Sequence, residues 1–465
     1  MVRRIGALAV LLIFMLAVLS ACDSGTVARP PTPVPQWRFP TPFPPMELPS
    51  SEAPPPDLPA AIRPRTPAGT PAQPAAPGVS HVPTAPVHGQ AQQELLQIEK
   101  DTSKLRGLDP KIDVTERFVT SDGMRAEIVA QRDKSYTREQ ARLAELELWL
   151  LRYVDDPGID LFQIQADMLA EQVDGLYVPE EKTLYVLSSG KQLDYQARET
   201  VAHEFVHSLQ DQYFDLQKVL PRTSTDGDRL LAARSIVEGD ATFSGVLYAD
   251  EYMTREDFAK LIGPQTAPKI PAGTPDIFEQ ELMFPYTKGV EFAAALYKRG
   301  GFKAINDALA NPPRSTEQIM HPEKFMAAHK DEPIAVGLPP LTGTLASGWE
   351  YRESSTIGEF ELQALLQGKN VASAESGAAG WGGGQYDLYT NGTNSLVFMG
   401  TIWDTLTDAQ QFESGLRQSL VRTPNFQNLW TDGARYYTLK RVKNRVFYIG
   451  GTDRTAVKSA LQVVK

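Results

Sequence analysis

The stretch Val201-Ala-His-Glu-Phe-Val-His207 decides how the rest of the chain is read. It has the form HExxH. On a helix, His203 and His207 are i and i+4, so both imidazoles project from one face one turn apart. Nitrogens at that spacing can share one Zn²⁺. Glu204 between them is placed to take a proton from a water at the metal. The competing reading is an ordinary amphipathic helix in which the pattern is accidental. The chain has only six histidines in 465 residues, and so scarce a residue rarely falls into this register around a glutamate by chance.

Two histidines do not complete a site. A catalytic zinc takes three protein ligands and keeps one position open. His81 and His88 lie in a proline-rich stretch, which leaves His321 and His329 outside the motif. The residues after His207 are Ser-Leu-Gln-Asp-Gln-Tyr213, which rules out a histidine where metzincins place their third ligand. A carboxylate on a following helix remains. Glu238, in Ser235-Ile-Val-Glu-Gly-Asp-Ala-Thr242, is the best candidate. One turn and an antiparallel return bring it back to the motif helix. Val237 and Ala241 put it on an inward face, where a buried carboxylate needs a partner and a metal is one. Gly239 lets another backbone or side chain come close. Asp240 is the alternative ligand. It could instead accept a hydrogen bond from a ligand histidine, as could Asp211, one turn past His207.

Outward from the motif the pattern is α+β. Gly175-Leu-Tyr-Val-Pro-Glu-Glu-Lys-Thr-Leu-Tyr-Val-Leu187 reads as a hairpin, and Asp194 opens the motif helix, which runs to about residue 213. Ala197, Val201 and Phe205 face the core on that helix, with Thr200, His203 and His207 opposite. Upstream, the spacing predicts helices over 91–106 (with Leu95, Leu96, Ile98 and Leu105 inward), 121–131 (capped by Ser121-Asp122), 137–153 (opened by the capping box Thr137-Arg-Glu-Gln140) and 161–172, and a strand over 114–120. Downstream, helices are expected over 229–253, 276–283, 287–299 and 302–310, then a short turn from Ser315 to His321-Pro322. From residue 334 the texture changes. A helix over 356–367 and a glycine-rich loop over 377–384 precede strands at 385–390, 394–403, 436–441 and 445–450, with helices at 408–420 and 455–463. The expected architecture is a mainly helical domain, 91–330, carrying a small edge-strand hairpin, followed by a smaller α+β module, 334–465, on an antiparallel sheet.

The ends and the charge set the compartment. Met1-Val-Arg-Arg is a basic start, residues 5–19 are apolar but short for a membrane span, and Leu19-Ser20-Ala21-Cys22 resembles a bacterial lipobox, with the chain's one cysteine at the lipidation position. Residues 1–21 therefore read as a lipoprotein signal peptide. Residues 22–90 hold the lipidated Cys22 and a tether with more than half of the 36 prolines, which cannot bury a core and reads as an extended spacer. The protein is expected on the extracytoplasmic side of the cell envelope, held to the membrane by its lipid. A net charge of −11 without a basic cluster argues against nucleic acid as a partner. The glycine-rich run lacks a phosphate-binding lysine, and Ser208 belongs to no triad.

His203-Glu-Phe-Val-His207, with Glu238 in Val-Glu-Gly-Asp-Ala, resembles the gluzincin branch of zinc metallopeptidases, which includes thermolysin, over residues 170–245. The resemblance implies a zincin-like catalytic domain, one Zn²⁺ on His203, His207 and Glu238, and Glu204 as general base for hydrolysis of a peptide or protein substrate. It also implies that the hairpin edge pairs with an extended substrate backbone. An oxyanion donor from the following lobe is implied too, with Tyr286 and His321 as candidates. One departure stands out: thermolysin-type sequences have Asn before the glutamate ligand and Ser-Asp after it, whereas Val237 precedes Glu238 and Gly239-Asp240 follow. The metal chemistry carries over, and membership of the thermolysin family does not. The alternative from another class is a non-catalytic envelope lipoprotein that binds a metal or a ligand. Glu204 argues against it, because a structural metal does not need that base. The C-terminal module could serve as a recognition domain.

Overall fold

The computed structural model describes residues 89–133, 136–170, 175–187, 193–221, 226–263, 270–271, 273–421 and 423–465. The signal segment, Cys22 and nearly all of the proline-rich stretch lie outside them. The described part is α+β. It begins with α1 (Gly89–Arg106), β1 (Thr115–Val119), α2 (Ser121–Asp133), α3 (Arg138–Leu150), α4 (Leu161–Ala170), β2 (Gly175–Val178) and β3 (Thr183–Leu187). The motif helix α5 (Tyr195–Phe214) follows, then α6 (Leu216–Val219), α7 (Gly227–Tyr252), α8 (Arg255–Leu261), α9 (Asp276–Ala310), α10 (Thr316–Met320) and α11 (Pro322–Met326). The C-terminal part runs β4 (Glu350–Thr356), α12 (Glu359–Gly368), α13 (Ala374–Ala378), β5 (Trp381–Thr390), β6 (Ser395–Trp403), α14 (Leu406–Leu420), β7 (Asn425–Phe426), β8 (Leu429–Thr431), β9 (Tyr436–Val442), β10 (Arg445–Gly451) and α15 (Arg454–Leu461). Among the described residues no helix is long and apolar enough to cross a membrane.

Local chemistry explains the helix starts. Thr137 and Gln140 form the reciprocal capping box that opens α3. Asp194 accepts from the Ala197 amide and starts α5, which ends at Asp215 in the left-handed region (φ 61°). For α2, by contrast, it is the Thr120 hydroxyl that accepts from the Gly123 amide, one residue before the expected cap. In α1 the buried face is Ala91, Leu95, Ile98 and Thr102. Leu96 sits about 100° off that stripe and is exposed, so its expected inward position is corrected.

The motif helix is buried on every side over its central turns. Residues from Glu199 to Asp211 in α5 are all buried, with Val201 and Ala202 in one cluster and Phe205 and Leu209 in another. The expected division into a core face and an opposite face therefore fails: α5 is a central helix wrapped by α1, α7 and the small sheet. Helix α9 is continuous through Pro285, where a break was expected. Proline removes one backbone hydrogen bond, but packing against α7 holds the segment helical. The break expected between residues 299 and 302 is present, at Gly300–Gly301, where Gly301 has φ 62°.

The small sheet has the order β1-β3-β2, with β1 parallel to β3 and β2 antiparallel to it. The strand nearest the motif in sequence is thus central, and β2 is the edge beside α5. The second sheet is antiparallel throughout, in the order β4-β5-β6-β10-β9-β8-β7. Of the expected loop 377–384, Gly377 and Ala378 end α13, Ala379 and Gly380 turn, and Gly382–Gly384 are strand, not loop. A Cβ on Gly383 would lie 2.1 Å from the Ile334 carbonyl oxygen, and one on Gly384 2.2 Å from that of Ile357, so the glycines admit neighbouring backbone to the sheet face. The two parts of the chain share one core. Leu148 and Trp149 of α3 and Ile277 and Leu282 of α9 cluster with Leu365, Trp381, Trp403 and Tyr448.

Candidate metal centre

The i, i+4 spacing on α5 sets His203 and His207 side by side, with their Nε2 atoms 3.0 Å apart. Helix α7 returns antiparallel and brings Glu238 Oε2 to 3.4 Å from each of those nitrogens. All three side chains are essentially sealed from solvent, and their ligand atoms form a compact group. A tetrahedral ion with bonds of about 2.0–2.1 Å has ligand–ligand edges of about 3.3–3.4 Å. The triangle here, 3.0, 3.4 and 3.4 Å on its sides, fits such an ion. Neither Glu238 oxygen has a hydrogen-bond partner among the described residues. A fully buried carboxylate without donors is what a metal-ligand position provides for.

The ionisation of the three groups follows from their crowding. For His203 burial dominates and pushes its pKa down to about 4. For His207 burial acts in the same direction, but the Glu238 carboxylate outweighs it and the value is pushed up to about 9. Burial would raise Glu238, yet the His207 imidazolium holds it down to about 2. A cation placed in the triangle would displace the proton on His207.

Glu204 faces the small sheet. The Tyr177 amide of β2 donates to its Oε2 at 2.8 Å, and its Oε1 has no partner among the described residues. Burial pushes its pKa up to about 8. Gly175 makes the approach possible: a Cβ there would lie 2.6 Å from Thr200 Cγ2 and 3.0 Å from Glu204 Cγ.

The residues expected to support the histidines are placed differently. Asp211 accepts from the Tyr177 hydroxyl at 2.9 Å and from Lys182, so it ties the hairpin to α5 and meets neither histidine. Asp240 also makes no contact with a histidine: its carboxylate takes the Arg106 guanidinium and the Gln210 amide. The partner of His207 is Gln210, with Oε1 2.9 Å from Nδ1. Sequence reading passed over Gln210, although it lies one turn after His207 on the same helix face.

Helix α9 crosses α7 at the centre. A Cβ on Gly239 would lie 2.2 Å from the Gly289 carbonyl oxygen, and one on Gly289 2.2 Å from that of Ser235. This backbone-to-backbone approach, which Gly239 was expected to permit, brings Tyr286 in. Its ring stacks on His203 at 6.4 Å between centroids. The buried Arg234, one turn before Glu238, has its Nε 3.9 Å from Glu238 Oε1, and its charge acts on the Tyr286 hydroxyl. Arg234 is a second residue that sequence reading missed. Burial first, then the charge of Glu238, raises the Tyr286 pKa, so its hydroxyl keeps its proton. His321 is not gathered here. It caps the α10–α11 junction, and its Nε2 is 3.0 Å from Glu359 Oε1. Its other ring nitrogen is 3.9 Å from Glu323. The expected donor pair therefore reduces to Tyr286, because Glu359 captures the imidazole of His321.

A family described as a domain of unknown function (DUF8575) matches residues 347–461, the sheet module that contains Glu359 but none of the triad. No curated protein matches the chain, and no solved structure does.

Proposed function

We propose that this chain is a zinc-dependent peptidase of gluzincin type, held to the outer face of a membrane by a lipid on Cys22. The observation that carries the reading is the buried triangle of His203, His207 and Glu238 with a one-sidedly free carboxylate, Glu204, on the turn between the two histidines. His203, His207 and Glu238 would hold the ion. Bound there, zinc supplies Lewis acidity toward water and the scissile carbonyl. The Tyr177 amide fixes one Glu204 oxygen and leaves Oε1 to accept a proton from water and return it to the leaving amine. Tyr286, kept protonated, is the donor toward the developing oxyanion. The tether carries this body away from the membrane, and the net charge of −11 suits a peptide better than a nucleic acid.

The test is zinc content and cleavage of a peptide library read by mass spectrometry. One zinc per chain and defined cleavage products are expected. Glu204→Gln should keep the zinc and lower cleavage about 10²–10⁴-fold. Zinc without cleavage in the wild type would make the protein a metal-binding lipoprotein, and no zinc at all would end the metal reading.

A further inference from the structure

We propose that Gln210, Asp240 and Arg106 are positioning residues that set His207 for metal binding, which makes α1 a working part of the centre. This rests on the zinc reading above. His207 Nδ1 and Gln210 Oε1 are 2.9 Å apart. The Gln210 amide nitrogen donates to the Val237 carbonyl at 2.9 Å and to Asp240 Oδ2 at 2.8 Å. Both of those partners accept only, so the amide orientation is fixed, and its oxygen must face the histidine. His207 then donates from Nδ1 and offers the Nε2 lone pair to the triangle.

Asp240 is itself pinned. Arg106 Nη2 is 2.9 Å from Asp240 Oδ2, and both side chains are fully buried. The Ser244 hydroxyl approaches Oδ1 at 3.4 Å. The same Arg106 nitrogen donates to Asn306 Oδ1 at 2.9 Å, and the guanidinium lies 4.4 Å over the Phe302 ring. Helices α1, α7 and α9 thus converge on one amide that orients one ligand. A carboxylate at position 210 would also accept from His207, but it would meet Asp240 with like charge. Gln210 transmits the orientation without adding charge to the centre. His203 lacks this support, since its Nδ1 has no partner among the described residues, and the Tyr286 ring sets its plane instead.

Zinc affinity by chelator competition, the visible spectrum of the cobalt-substituted protein and urea unfolding of the metal-free form decide the matter together. Gln210→Leu should bind zinc about 10–100-fold more weakly, with altered cobalt bands. Arg106→Gln should weaken zinc in the same direction, and Arg106→Lys should recover part of the loss. Should Arg106→Gln fail to fold, Arg106→Lys and Gln210→Leu still give the answer. If folded Gln210→Leu binds zinc within about threefold of wild type with unchanged cobalt bands, the inference is overturned while the zinc reading stands. If Gln210→Leu weakens zinc but both Arg106 variants bind as wild type, the part assigned to α1 is overturned. A wild type that binds no zinc removes the reading on which all of this rests.

Discussion

On the proposed reading, replacing Gly239 by alanine should separate zinc binding from the donor role of Tyr286. The new methyl would lie 2.2 Å from the Gly289 carbonyl oxygen, where an ordinary contact is 3.4–4 Å. The helices must part by about 1 Å, and overpacking of this kind costs about 1–3 kcal/mol. Helix α7 is the less able to move. It is clamped to α1 through Asp240 and Arg106 and to α5 through Gln210 and the Val237 carbonyl. Helix α9 gives way and takes Tyr286 from beside His203. The triad spans only α5 and α7, so zinc stays, while a donor displaced by about 1 Å lowers turnover about 10²-fold. Urea unfolding, zinc content and peptide turnover on the purified variant check this. Gly289→Ala, which would press on the Ser235 carbonyl oxygen at 2.2 Å, should behave alike. A Gly239→Ala protein with wild-type stability and turnover would refute the close crossing. One that folds but loses its zinc would show that α7, not α9, moves.

Three further outcomes are expected. Tyr286→Phe should keep full zinc occupancy and lower kcat about 10²–10³-fold with little change in KM, as seen when one oxyanion donor is removed; unchanged kcat would exclude Tyr286 as donor. Glu238→Ala should abolish stoichiometric zinc at micromolar metal, measured by atomic absorption after dialysis, since two histidines alone do not make a closed ligand set; retention of one zinc would remove Glu238 from it. The third concerns pH. Burial, then the charges of Glu116 and Asp113, push the Glu99 pKa from 4.5 up to about 8. An acid whose folded value lies above its unfolded one favours the folded state below about 4.5, and that advantage is lost as pH rises toward 8, by at most about 1.4 kcal/mol per pH unit. Stability should therefore decline from pH 5 to pH 8 in urea titrations, and Glu99→Gln should flatten the decline; an unchanged slope would refute the assignment.

Features carried by a few neighbouring residues were legible in the sequence. The i, i+4 register of His203 and His207, the Asp194 cap, the Thr137–Gln140 box, the hairpin around Pro179 and the antiparallel module are all set by local hydrogen bonding and side-chain period. Glu238 was reachable too, because its inward face could be read from its own helix. Partners that depend on how distant elements cross were not. Asp240 and Asp211 have the right chemistry to support a histidine, but Arg106, from a helix far back in the chain, and Tyr177 of the hairpin claim them first. His321 is drawn to Glu359 for the same reason. Pro285 and the run Gly382–Gly384 were read by local propensity, which tertiary packing overrides: one sits inside a packed helix and the other inside a strand. A side chain's period names the face it occupies, and only the packed structure decides which of several suitable groups stands opposite, because that choice is made by burial and by competition for a limited number of donors.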